Sequence, residues 1–199
     1  MRQNVRTAGK IPEERERLEV MELSFLYAIP RTQILDSIFL LITKIAGSYG
    51  QLWVVVGLAL LIPKKTRWTG IAVLISYVGV YIFGQMILKN LISRPRPCQI
   101  DQAFEMLVAR PSSSSFPSTH SAWAFAASTA IFMKYKKTGI AAFVVAALIA
   151  FSRMYMFLHY PTDVLCGIIF GILLGIAADK ICDLIKRKMD GRKTENSKP

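Results

Sequence analysis

An all-α integral membrane helical bundle, with five transmembrane helices and an N-terminal interfacial or short sixth helix, is the fold class the sequence predicts. Three observations predict it. The chain of 199 residues is 53% hydrophobic yet carries a formal net charge of +12, so apolar and basic residues must be segregated along it. Charge is missing between Lys44 and Lys64, between Arg67 and Lys89, between Lys137 and Arg153, and between Asp163 and Asp179. A membrane span needs roughly 20 apolar residues, or about 17 with snorkelling flanks, so the first two blocks qualify outright and the last two with their flanks. Finally, the stretches 71–88 and 139–151 have no charged face, whereas a helix of a soluble domain keeps a polar stripe.

Taken in order, residues 1–33 mix both signs, with Arg15, Glu16, Arg17 and Glu19 close together, and Pro30 breaks any helix they form. They read as an interfacial or solvated segment. The first 22 residues are charged throughout and lack an apolar h-region, so insertion is expected to depend on the internal spans rather than on a cleavable signal. Residues 34–46 are amphipathic, interrupted by Asp36 and Lys44 and followed by Gly47 and Gly50, as suits a helix at the interface or a short sixth span. Spans are expected at about 48–63, 68–89, 118–134, 138–158 and 163–184. The segment 93–117 is rich in Pro and Ser and belongs outside the bilayer or against protein, because irregular backbone cannot face lipid. In the last span Gly167, Gly171 and Gly175 recur every four residues and make a smooth strip for close helix packing. The resulting division is an N-terminal polar and interfacial segment (1–47), a transmembrane domain (48–184) and a basic cytoplasmic tail (185–199). Cys98, Cys166 and Cys182 form no CxxC or Cys/His cluster and read as packing residues.

Counting spans puts the 93–117 loop, His120 and the segment 153–163 on one face. The other face receives Lys64, Lys65 and Arg67, then Lys134, Lys136 and Lys137, then the tail with Lys186, Arg187, Lys188, Arg192 and Lys193. Short basic loops stay in the cytoplasm, so a multi-pass plasma-membrane protein with its polar clusters on the extracytoplasmic face is expected. The basic tail follows from topology and needs no nucleic-acid partner.

Only two histidines occur, His120 and His159, each at a span end beside polar residues. One interfacial histidine is ordinarily just a solvated side chain; two in this company say more. Asp163 follows His159 by four residues, within reach of one ring nitrogen, which would free the other as nucleophile or base. Arg153 closes an apolar span, where a guanidinium normally faces a cavity or an anion. Lys89 ends an uncharged block and is open to a snorkelling reading, while Arg94 and Arg96 follow in a proline-stiffened SRPRP loop. Together these cations suit a tetrahedral oxyanion, since arginine forks match phosphate oxygens. Pro117 and Ser118 fit a helix start that leaves the amides near Ser118, Thr119 and His120 available to an anion. No zinc or magnesium ligand spacing is present, so neither metal nor cofactor is expected.

Lys89 with Arg96-Pro97 after six residues, Pro117-Ser118-Thr119-His120, and Ser152-Arg153 with His159 and Asp163 resemble the three-part signature of the type 2 phosphatidic acid phosphatase (PAP2) family. The resemblance covers roughly residues 68–180. It implies a membrane phosphatase acting on a lipid phosphate or lipid pyrophosphate. Lys89, Arg96, Arg153, Ser118 and the Thr119 amide would bind phosphate, supported by Pro97, Pro117 and Ser152. His159 would attack phosphorus, Asp163 would orient it, and His120 would serve as acid and then base. The family usually has glycine where Thr119 stands, and Arg94 receives no family role. Undecaprenyl pyrophosphate is the favoured substrate, with phosphatidylglycerophosphate or phosphatidic acid as alternatives. A vanadate-dependent haloperoxidase and a non-hydrolytic lipid transporter are the remote ones, the latter disfavoured because transport sites lie near the midplane.

Overall fold

The computed structural model describes residues 13–195, with side chains described from 17 to 191. Arg2, Arg6 and Lys10 lie outside the described residues, as do the side chains of Arg15, Glu16, Arg192 and Lys193. The described residues are helical, without strands: α1 (Glu13–Tyr27), α2 (Gln33–Ala46), α3 (Gln51–Leu61), α4 (Arg67–Gly79), a π-helical stretch (Val80–Leu88), α5 (Lys89–Ile92), α6 (Pro97–Ile100), α7 (Thr119–Lys134), α8 (Lys136–Tyr155) and α9 (Pro161–Glu195).

Three helical stretches are long and apolar enough to cross a membrane: Arg67–Ile100, Lys136–Tyr155 and Pro161–Gly191. A fourth crossing results if α2 and α3, bent by 53° at their junction, count as one. The sequence-based expectation of five is not reached by this measure, and the reason is length. A rise of about 1.5 Å per residue makes α3 only about 16 Å long, half the hydrocarbon thickness of a bilayer. Gly47 (φ 75°) and Gly50 (φ 68°) hold the bend in left-handed backbone. The 16-residue α7 lies in the middle of the bundle against α4, α8 and α9. Its residues Ser121–Ala124 and Ala126–Ile131 are buried, and small side chains there let its neighbours approach.

The closest approach is to the glycine strip of α9. A Cβ at Gly167, Gly171 or Gly175 would lie 2.4, 2.3 or 2.5 Å from the carbonyl oxygens of Ser118, Ala122 and Ala126 respectively. Four-residue spacing on α9 therefore meets four-residue spacing on α7, as the sequence predicts. On another side α2 packs through Phe39 against Phe151 and Tyr155 of α8. Asp36, the charge that interrupts α2, accepts a 2.6 Å hydrogen bond from the Tyr155 hydroxyl. The basic linkers share one end of the molecule: the Tyr135 hydroxyl donates to the Lys65 carbonyl at 2.9 Å, and Lys134 pairs with Asp179 and Asp183 of α9. Since α8 runs from Lys136 to Tyr155, the histidines lie at the opposite end.

Candidate active site

Three chain breaks build that end. The π-helical stretch is the first: the Lys89 amide bonds to the Gly84 carbonyl five residues back. One extra residue in a turn rotates the downstream side chains by about 100° around the helix axis. Lys89 is thereby buried, its Nζ donating to the Ser114 carbonyl at 3.1 Å. Ser93 (φ 45°) then ends α5 and releases the non-helical segment Arg94–Arg96, which leads into α6 at Pro97.

The second break closes α8. Phe157 takes φ 58°, and the Leu158 amide reaches back to the Arg153 carbonyl at 3.0 Å, a Schellman-like end. This turn delivers His159. The third is the start of α9, where Pro161 occupies the first helical position and Asp163 reaches back to the Tyr160 amide at 3.0 Å, half of a capping box. Local helix-end rules therefore place both His159 and Asp163.

Lys89, Arg96, Arg153, His120, His159 and Thr119 line one cavity of about 670 Å³. Arg96 is held from several directions: Nε donates to the Ser113 carbonyl at 2.8 Å, Nη2 to Ser113 Oγ at 3.1 Å, and Nη1 to the Leu158 carbonyl at 2.9 Å. The same Nη1 lies 3.1 Å from His159 Nε2. A guanidinium only donates, so Nε2 carries the lone pair and the ring proton sits on Nδ1. Burial first, and Arg96 second, push the His159 imidazole down from its ordinary 6.5 to about 3, which leaves it neutral at physiological pH.

Asp163 is fully buried and its Oδ2 stands 3.8 Å from His159 Nδ1, within ionic reach and beyond a hydrogen bond. Ser115 fills the gap, with its Oγ 3.5 Å from Nδ1 and donating to Asp163 Oδ2. The contact between the two residues is therefore partly relayed, where the sequence suggested a direct one. Across the cavity His120 Nε2 is 2.8 Å from the Gly47 carbonyl. A carbonyl only accepts, so Nε2 bears a proton and Nδ1 is the position left free to give or take another. Arg153 donates to Thr43 Oγ1 at 2.6 Å and to Ser152 Oγ at 3.1 and 3.2 Å, while Ser152 donates to the Ile149 carbonyl.

Some expected residues sit differently from the expectation. Ser118 is fully buried with its Oγ 2.9 Å from Ser121 Oγ, and it does not line the cavity. Pro97 and Pro117 are buried supports. Thr119 opens α7 in ordinary helical backbone, donating through Oγ1 to Gln85 Oε1 at 3.3 Å, so no left-handed glycine is demanded there. The first backbone bond of α7 is from Ala122 to Ser118, which leaves the amides of Thr119, His120 and Ser121 ahead of the ladder. Ser115, Thr43, Gly47 and Glu22 were not singled out for the site from sequence. Ser115 stands in a run of four serines, and Gly47 could be recognised only as a bend.

Three cations, a neutral imidazole whose Nε2 lone pair faces Arg96, and a second imidazole line one cavity at this end, an arrangement chemically suited to an anion and to proton transfer. A profile of the PAP2 superfamily matches residues 69–182. The chain belongs to the PAP2 superfamily and is a phosphatase of that family. It is 29% identical over 152 residues to the undecaprenyl-diphosphatase of Sulfolobus acidocaldarius, covering 76% of this chain and 72% of that protein. It is 34% identical over 145 residues to phosphatidylglycerophosphatase B of Bacillus subtilis, covering 67% and 68%. Among solved structures, the transmembrane PAP2-type phosphatidylglycerolphosphate phosphatase of Bacillus subtilis superposes with a TM-score of 0.68 at 28% identity, covering 89% of this chain and 90% of that one.

Proposed function

We propose that the protein hydrolyses a lipid phosphate or lipid pyrophosphate, with undecaprenyl pyrophosphate favoured, through a phosphohistidine at His159. The observation that carries this reading is the lone pair of His159 Nε2, 3.1 Å from Arg96 in a cavity shared with Lys89 and Arg153. A phosphoryl group held by these cations sits in front of a neutral nucleophile. Attack forms the N–P bond as the P–O bond to the leaving group breaks; His120, entering the step protonated on both ring nitrogens, gives its Nδ1 proton to the departing oxygen and is left neutral. Ring charge on the phosphorylated imidazole is offset by Asp163 through Ser115. His120 then removes a proton from water, which displaces His159 and releases inorganic phosphate. No step calls for a metal, since the cations supply the charge stabilisation.

The pyrophosphate preference draws on the same cavity, where Lys44 offers a further cation beside Tyr49 and Gln85 for a second phosphate. The similarity to phosphatidylglycerophosphatase B supports phosphatidylglycerophosphate as the second reading. Phosphate release by purified protein, with chelator present, from a panel of undecaprenyl pyrophosphate, phosphatidylglycerophosphate and phosphatidic acid tests it. Preference for the pyrophosphate is expected. Silence on the whole panel overturns the lipid-phosphatase reading, and activity lost to chelation and restored by one metal overturns the metal-free route.

The site is proposed to face outward at the plasma membrane, with the phosphatase unit over residues 48–184, residues 1–47 as a polar and interfacial segment, and residues 185–199 as a basic cytoplasmic tail. Glu105 is exposed on the 93–117 loop. Cysteine placed there in a background lacking Cys98, Cys166 and Cys182 should react with an impermeant thiol reagent in intact cells. Reaction only after lysis reverses the topology.

A further inference from the structure

Arg94, which has no role in the family signature, lies in a buried ion triad behind the catalytic couple. Its Nη1 donates to Asp163 Oδ1 at 2.8 Å and to Thr162 Oγ1 at 2.9 Å, and its Nη2 donates to Glu22 Oε2 at 2.6 Å. Its guanidinium lies 3.9 Å over the Tyr160 ring. Glu22 is 5% exposed, Arg94 9% and Asp163 0%, so the charges interact with little screening. The other oxygen of Glu22 accepts from the Thr162 amide at 2.9 Å and from its hydroxyl at 2.7 Å. A carboxylate from α1 thus serves the N-terminus of α9, where the helix dipole favours negative charge.

We propose that Glu22 and Arg94 are a positioning pair for the Asp163–His159 couple, which makes α1 part of the catalytic scaffold although it lies outside the segment 69–182 that matches the family. The inference rests on the phosphatase reading above. Asp163 can steady the phosphorylated imidazole only if its own charge is not spent elsewhere. Arg94 alone would draw that charge away from the ring. Glu22 takes half of the guanidinium, leaving Asp163 a net negative partner for His159, and fixes the fork so that Asp163 keeps one orientation. Removing Glu22 leaves a buried cation with a single carboxylate, which is costly and pulls Asp163 toward Arg94. The dock of α1 is built for this placement: Leu26 is buried with Phe157 and Tyr160, the Tyr27 and Phe157 ring centroids are 5.2 Å apart, and the Tyr27 hydroxyl donates to Asp101.

The test compares the parent with Glu22→Gln, Glu22→Asp, Arg94→Ala and the double variant Glu22→Gln/Arg94→Ala, all full length in detergent. Gln can still accept from Thr162, so it preserves the dock while removing the charge. For Glu22→Gln, kcat on the best lipid phosphate should fall roughly tenfold or more, as misplacement of a catalytic group does, while KM and inhibition by inorganic phosphate stay within about twofold. Glu22→Asp should recover part of the loss. The double variant should be no worse than Arg94→Ala, because partners in one network are not additive. A purely structural role would lower Tm and folded yield and leave kcat per folded molecule alone. Parental kcat in folded Glu22→Gln, or losses that multiply in the double variant, overturn the pairing. A parent that releases no phosphate from any lipid overturns the phosphatase reading itself.

Discussion

Replacing His159 by alanine is expected to leave no phosphoenzyme with any substrate and to lower kcat by roughly 10⁴-fold or more, as loss of a covalent nucleophile does. Loss of His120 should behave differently. Without a proton donor the poor leaving group departs slowly, at a cost of roughly 10² to 10⁴-fold, yet the nucleophile remains. His120→Ala should therefore still accept phosphate from an activated ester such as p-nitrophenyl phosphate, provided the ester enters the cavity. The division follows from the partners of the two rings. His159 presents an Nε2 lone pair beside Arg96, with Ser115 and Asp163 behind its other nitrogen. His120 is instead anchored by a backbone carbonyl, that of Gly47, and has no carboxylate within five residues in sequence. Rapid quench with radiolabelled substrate separates the two, because phosphohistidine is lost in acid and survives base. Adduct in His159→Ala, or label mapped to His120, reverses the assignment.

The parts of this site that were legible in sequence are those fixed by local geometry. His159 and Asp163 stand at a helix end where Pro161 and the i to i+4 spacing leave little freedom; His159 lines one cavity with Lys89, Arg96 and Arg153, and Asp163 is buried behind it. The glycine strip was legible for a similar reason, since one helix face needs only its own spacing to be recognised. What remained hidden depends on distant chain segments. Glu22 stands in a helix of mixed charge, and its pairing with Arg94, 72 residues away, has no local signature. Gly47 contributes a carbonyl, an atom every residue has, and Ser115 differs from its serine neighbours only in where the loop carries it. Three of the five expected spans, 68–89, 138–158 and 163–184, coincide with helices long and apolar enough to cross, whereas 48–63 and 118–134 fall on α3 and α7, of 11 and 16 residues, because freedom from charge does not say where a helix ends.

Arg96→Ala is expected to lower kcat/KM by roughly 10² to 10³-fold, the effect of deleting one preorganised donor to a developing oxyanion, and Arg96→Lys should recover little of it. The reason is geometric rather than a matter of net charge. Ser113 and the Leu158 carbonyl fix the guanidinium plane, and the remaining direction of Nη1 points at His159 Nε2. A phosphoryl group that displaces this contact, with an oxygen taking the Nη1 hydrogen bond and phosphorus facing the freed Nε2, would be held and aligned by one fork. Lysine keeps the charge but has neither the plane nor the reach to satisfy Ser113 and Leu158 at once, and an unpaired buried carbonyl carries its own cost. The Ki of vanadate, an analogue of the pentacovalent state, should rise in parallel with the loss in kcat/KM, whereas thermal stability should change less in Lys than in Ala. Near-parental kcat/KM in Arg96→Lys, with vanadate affinity unchanged, would show that charge alone suffices and that the 3.1 Å contact with His159 does not set the rate.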